Sequence, residues 1–178
     1  ELATIYDAMK SNLNDSNVEA LAVNFYHFYG NKSSYFDSPG WYRSEARIIK
    51  SSLRTYAPDG LFWLVLDKNK KGRYPKAKMI DAYCYHYGWV RSEDQMNLKS
   101  EKVQKYWGKE PTKIDYSQID QTIIKEFKGT HPDTIKNWLP ENKGLYFADK
   151  GYKLNKKQKK IILVLISYFF NLLFFFLT

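Results

Sequence analysis

The sequence predicts one α/β domain over residues 1–150, followed by a basic linker over 151–160 and a hydrophobic tail over 161–178. Three observations carry this expectation. An amphipathic helical pattern opens the chain, aromatic β-rich runs recur through its middle, and an almost unbroken apolar run follows the lysine-rich segment near its end. With 178 residues, 44% apolar and 17% aromatic, the chain has enough apolar surface for a real core and is not of the disordered class.

Leu2, Ile5, Tyr6, Met9 and Leu13 recur at helical spacing until the Asn14-Asp15-Ser16-Asn17 cluster breaks the pattern, which predicts a first helix. Val18 to Tyr29 is aromatic and weakly alternating, as expected of a strand covered on both faces, and Gly30-Asn31 closes it. Lys32 to Gly40 reads as a loop. It feeds Trp41 to Ile49, a short strand that would set Arg43, Glu45 and Arg47 on one face. Pro58-Asp59-Gly60 is a turn signal ahead of a strand over Leu61 to Leu66, with Lys68 to Arg73 as its solvated turn. Lys76 to Tyr87 reads as the next strand. Ser92-Glu93-Asp94-Gln95 then fits a capping box that opens a helix running to Trp107. Beyond it Ile119, Ile123, Ile124 and Phe127 share a helical face, and Pro132 stands as the first residue of a helix carrying Ile135, Trp138 and Leu139.

Charge and cysteine usage narrow the classes. The net charge of +9, from 28 Lys and Arg against 19 Asp and Glu, favours anionic partners, and it equally suits a basic soluble domain without one. The single cysteine, Cys84, excludes an intrachain disulfide and a structural zinc site built on several thiolates, and it is compatible with a reducing compartment. The chain lacks a phosphate-cradling glycine loop, a nucleophile elbow, zinc ligands paired at helical spacing and a C-x-x-C motif. Most common hydrolase and nucleotide-hydrolysis classes are thereby removed. The first residue is Glu1, with no secretion signal, which suggests an end internal to a longer product. The tail over 161–178 just reaches membrane-spanning length and leaves two readings open, an anchor with a basic flank and a gene-end artefact.

The candidate chemical groups each carry two readings. His86, at the late edge of a strand and followed by Gly88, suits a metal ligand, and it equally suits a histidine held by a backbone carbonyl; Arg91 suits neutralisation of phosphate charge. His27, inside the first strand, reads as a packed aromatic-like residue. Asp59 is placed to take a proton from an acceptor hydroxyl, and Asp-Gly is also an ordinary turn pair. Arg43 and Arg47 either bind phosphate or pair with Glu45 across a strand face. The aromatic residues suit stacking on sugars or bases, or core packing, and no aromatic strand motif of an RNA-binding sheet is present.

Four collinear segments, Phe25-Tyr26-His27-Phe28-Tyr29-Gly30, Gly40-Trp41-Tyr42-Arg43-Ser44-Glu45-Ala46-Arg47-Ile48-Ile49, Tyr85-His86-Tyr87-Gly88-Trp89-Val90-Arg91 and Phe127-Lys128-Gly129-Thr130-His131-Pro132, resemble bacterial family 2 glycosyltransferases over about residues 1–160. The resemblance implies the C-terminal half of a GT-A-like α/β sandwich, with a mixed, mostly parallel sheet and flanking helices. It implies transfer of a sugar from a nucleotide-sugar donor to a hydroxyl of a glycan or lipid-linked acceptor, aided by a divalent cation, Mn or Mg. Residue by residue, it makes His86 a late histidine that helps bind metal or diphosphate and Asp59 the counterpart of the catalytic base; Arg43, Arg47, Trp89 and Arg91 are the candidate substrate- or diphosphate-binding residues beside them. Pro58-Asp59-Gly60 departs from the family pattern at the base position. The acidic metal motif of the family precedes the helix with which this chain begins, so the chain as written is expected to be inactive by itself. The implied setting is the bacterial cytoplasm or the cytoplasmic face of the membrane, through 161–178, without nucleic acid as a partner. The alternative is a non-catalytic basic module that binds nucleic acid or a membrane surface.

Overall fold

The computed structural model describes residues 2–38, 41–57, 62–106, 108–119 and 121–141. The expected turn containing Asp59, the linker over 151–160 and the tail over 161–178 lie outside these residues. In chain order the elements are α1 (Leu2–Asn12), β1 (Ala20–Tyr29), β2 (Ser34–Phe36), β3 (Ser44–Ile49), β4 (Thr55–Tyr56), β5 (Leu64–Leu66), β6 (Gly72–Arg73), β7 (Ala77–Trp89), α2 (Glu93–Tyr106), β8 (Ile124–Glu126) and α3 (Trp138–Glu141). Short 3-10 turns stand at Gln121–Ile123 and Asp133–Ile135. The chain divides into two compact units, the first formed by Glu1–Phe25 and Tyr42–Cys84, the second by Tyr26–Trp41 and Tyr85–Thr178.

The first unit is built on the early half of β1. Its core is Val18, Leu21, Val23, Phe25, Ile80 and Ala82, and α1 covers it through Ile5 and Ala8, with Leu13 just past the helix end. Leu2, Tyr6 and Met9, which share the helical spacing, stay exposed. β3 pairs antiparallel with β1 at Val23↔Glu45 and Asn24↔Ser44, and the register shifts at a bulge between Leu21 and Ala22. β4, β5 and β6 form a separate three-stranded antiparallel meander. Its last turn is set by Asp67, whose carboxylate accepts from the N–H groups of Asn69 and Lys71, each at 2.8 Å. Glu19, at the start of β1, ties the edges together. Its carboxylate accepts two bonds from the Arg73 guanidinium, at 2.6 and 2.7 Å, and one from the Lys76 N–H at 2.8 Å.

The second unit uses the late half of β1. β2 pairs with it antiparallel at Phe28↔Tyr35 and pairs in turn with β8 through Ser34↔Glu126 and Phe36↔Ile124. Ring contacts on the other edge advance in step from Tyr26 against Tyr85 to His27 against His86 and Phe28 against Tyr87. The Gly30 N–H then donates to the Trp89 carbonyl at 2.9 Å, so β7 runs parallel to β1 here. α2 opens on the expected capping box: the Gln95 N–H donates to Ser92 Oγ at 3.3 Å and the Ser92 N–H to Gln95 Oε1 at 3.2 Å.

Two expectations are corrected. The GT-A-like α/β sandwich with a mostly parallel sheet does not form, because the pairs β1–β2, β1–β3, β2–β8, β4–β5 and β5–β6 are all antiparallel and helices are few among the described residues. A parallel sandwich needs a helical crossover between successive strands, whereas β4, β5 and β6 pair antiparallel with one another in chain order. The helix expected over Ile119 to Phe127 is instead a 3-10 turn followed by β8. Pairing with β2 outweighs a spacing that also fits a helix.

Candidate functional site

Alternation along the parallel β1–β7 pair sorts its rings onto two faces of the second unit. On one face Tyr26, Phe28, Tyr85 and Tyr87 gather around Phe127, with Phe28 fully buried and stacked on Tyr87 at 4.8 Å and 4°. His131 joins them, 2.8 Å from the Tyr87 hydroxyl through Nδ1. Burial pushes the Tyr87 phenol up to about 12 and His131 down, so both are neutral near pH 7. The phenol and the imidazole Nδ1 share one hydrogen, with the direction set by the imidazole tautomer.

The opposite face holds His27 and His86. Their Nδ1 atoms lie 2.9 Å apart and their ring centres 5.1 Å apart, with the planes crossed at 86°. Trp41 packs edge-on to His27 at 5.8 Å, stacks on Phe36 at 4.6 Å and meets Trp89 at 6.1 Å. Beneath them lies a core of Tyr29, Phe36, Met96, Tyr116 and Ile119, which α2 closes with Met96. Gly88 completes the histidine's seat. A Cβ at this position would fall 2.7 Å from His86 Nε2 and 2.9 Å from its Cε1, so the absence of a side chain admits the ring.

The strand end beside this seat is held rigid and is rich in cationic groups. Tyr116, fully buried, has its hydroxyl 3.0 Å from the carbonyls of both Trp89 and Arg91, and its N–H donates to Glu93 Oε1 at 2.8 Å. Asn97 fixes the neighbouring backbone, accepting from the Ile114 N–H at 2.7 Å. Lys99 reaches back from α2 to donate to the Gly88 carbonyl at 3.2 Å. Desolvation, and then the nearby Arg91 charge, pull the Lys99 ammonium below its ordinary range. Arg91 Nε is buried and has no hydrogen-bond partner among the described residues, and the same holds for Trp41 Nε1. The Arg91 and Lys99 charges act on one another here, with the Glu93 carboxylate held nearby on the Tyr116 N–H.

The expected site residues therefore separate. His86, Trp89 and Arg91 come together in the second unit, with His27 and Lys99 as members that the sequence reading did not assign to a site. Arg43 and Arg47 belong to the first unit. Arg43 is exposed and its carbonyl accepts from the Phe25 N–H at 2.9 Å, while the Arg47 guanidinium lies over the Phe25 ring at 5.1 Å. Around Arg47 stand Tyr42, Glu45 and Cys84, all shifted upward by burial, with the Arg47 charge opposing each shift in part. Asp59 lies outside the described residues.

The implied divalent cation does not find a complete site here. Among the described residues no three His, Cys, Asp or Glu converge, and the Nδ1 atoms of His27 and His86 point at each other rather than at a shared ion. His86 fits at most as one ligand of a larger set. No helix among the described residues is long and apolar enough to cross a membrane.

A signal for the His27–His86 pair was present in the sequence. Both strands carry Tyr-His-aromatic, at 26–28 and 85–87, and in-step parallel pairing sets like on like. No family model matches the chain, and no curated protein and no solved structure matches it.

Proposed function

We propose that this chain is part of a nucleotide-sugar-dependent glycosyltransferase and that the strand end at His86–Arg91 receives the diphosphate of the donor. One observation carries the reading: Lys99 is held on the Gly88 carbonyl, two residues from His86, where desolvation and the Arg91 charge weigh on its ammonium, a burden that a bound anion would relieve. A diphosphate supplies two or more charged acceptors for a guanidinium and an ammonium and leaves as an anion in the transfer reaction. Trp41, packed on His27, and Trp89 beside Trp41 suit a flat nucleoside or sugar face. The cation and the catalytic carboxylate implied by the resemblance would come from outside the described residues, so no step is assigned to them.

Trp41 and Trp89 also serve as reporters. Uridine diphosphate titrated into the full chain should quench tryptophan fluorescence saturably, and Arg91→Gln and Lys99→Gln should each weaken binding about fivefold to tenfold, as expected for a lost charge-assisted contact. An equal response to a single-stranded oligonucleotide, falling steeply with salt, would assign the corner to a general basic binding module instead. Absence of saturable quenching would remove the reading.

A further inference from the structure

We propose that His27 is a positioning residue that holds the His86 ring through a single shared hydrogen; the assignment rests on the diphosphate-site reading for its purpose but not for its geometry. The geometry is direct. The ring-centre separation of 5.1 Å is taken up almost wholly by the 2.9 Å between Nδ1 atoms and the two ring radii, so the nitrogens meet head-on. Head-on approach at this distance is a hydrogen bond, and it needs one protonated and one bare Nδ1. The two imidazoles therefore differ in protonation at Nδ1, and the state of each sets the other.

The surroundings explain why the pair is rigid. His27 is only 1% exposed, placed mid-strand in β1 and braced by Trp41. His86 is braced at its other end, where Nε2 and Cε1 lie against the bare Cα of Gly88. A ring held at both ends keeps one orientation, two residues before the Gly88 carbonyl that Lys99 contacts. Such an orienting partner is what distinguishes a functional histidine from a loosely packed one. A purely space-filling role at position 27 would be met equally well by phenylalanine.

Histidine nitrogen NMR on the full chain tests this at one pH. The wild-type protein should show one protonated Nδ1 between the two residues. His27→Phe, which keeps the ring volume and removes the nitrogen, should release His86 into a mixture of tautomers while the circular dichroism spectrum stays unchanged. His27→Asn, which keeps a polar atom near the Nδ1 position, should preserve the His86 signature. Uridine diphosphate affinity should fall about tenfold in His27→Phe and much less in His27→Asn, the range seen when the orienting partner of a site histidine is lost. An unchanged His86 signature in His27→Phe would overturn the proposal, as would equal loss of affinity in both variants. If the tautomers respond as expected but no form of the protein binds the nucleotide, the positioning role stands and the transferase reading falls.

Discussion

Replacing Glu19 with Gln removes the charge that joins the start of β1 to β6 and to the entry of β7. The carboxylate accepts from both terminal nitrogens of Arg73 and from the Lys76 N–H, and the Arg73 bonds, ahead of the other contributions, hold its pKa down from the ordinary 4.5 to about 2. Each tenfold change in proton affinity corresponds to about 1.4 kcal/mol, so the full displacement is worth about 3 kcal/mol before screening. The Arg73 side chain is 53% exposed, and solvent screening reduces this to about 1–2 kcal/mol. Because the folded-state pKa is depressed, the contribution is complete above the unfolded value near 4.5 and is lost as pH falls toward 2. Urea unfolding of the full chain at pH 7 should show Glu19→Gln less stable by about 1–2 kcal/mol, with the deficit less than half as large at pH 3. Arg73→Met should reproduce most of the loss, and the double variant should add little to either. Equal stability of Glu19→Gln and wild type at pH 7, or a deficit that does not shrink at pH 3, would refute the reasoning.

Gly88→Ala drives a Cβ to 2.7 Å from His86 Nε2, and since His27 holds the other end of that ring, unfolding should show a loss of about 1–3 kcal/mol together with a changed His86 spectrum. Tyr116→Phe deprives the Trp89 and Arg91 carbonyls of a fully buried donor; a cost of about 1–3 kcal/mol is expected in chemical denaturation, and a neutral result would mean that water replaces the hydroxyl. Phe28→Ala opens a cavity between Tyr87, Phe127 and His131 and should cost about 3–5 kcal/mol by the same measurement. Ser92→Ala removes the cap of α2 and should lower stability by about 1 kcal/mol, with helical circular dichroism reporting the frayed first turn.

The elements that were legible beforehand are those whose cause lies within a few residues. α1 followed from apolar spacing, although the face it buries is the Ile5, Ala8 and Leu13 side rather than that of Leu2, Tyr6 and Met9. α2 followed from Ser92 and Gln95, which satisfy one another's backbone groups locally. β2 and β8 were not legible. Each is three residues long and gains its order from the other, and Ile124 on its own fits a helix as well as a strand. The α/β sandwich failed for a related reason, since strand direction depends on how the intervening chain returns, which the strands themselves do not encode.

The candidate site divides in the same way. His86 and Arg91 stood out from residue type and from their place between a strand and a helix cap, a local signal. His27 reads as a packed ring because its partner lies 59 positions away, and the shared Tyr-His-aromatic pattern marks that partner only once the two strands are known to pair in step. Lys99 carries no local mark in the sequence, and only the fold of α2 brings it onto the Gly88 carbonyl. Residue chemistry and short-range periodicity thus reached the longer strands β1, β3 and β7, the cap and half of the cationic corner. The register that sets His27 against His86 came only with the sheet, because backbone hydrogen bonds between distant strands decide which side chains meet.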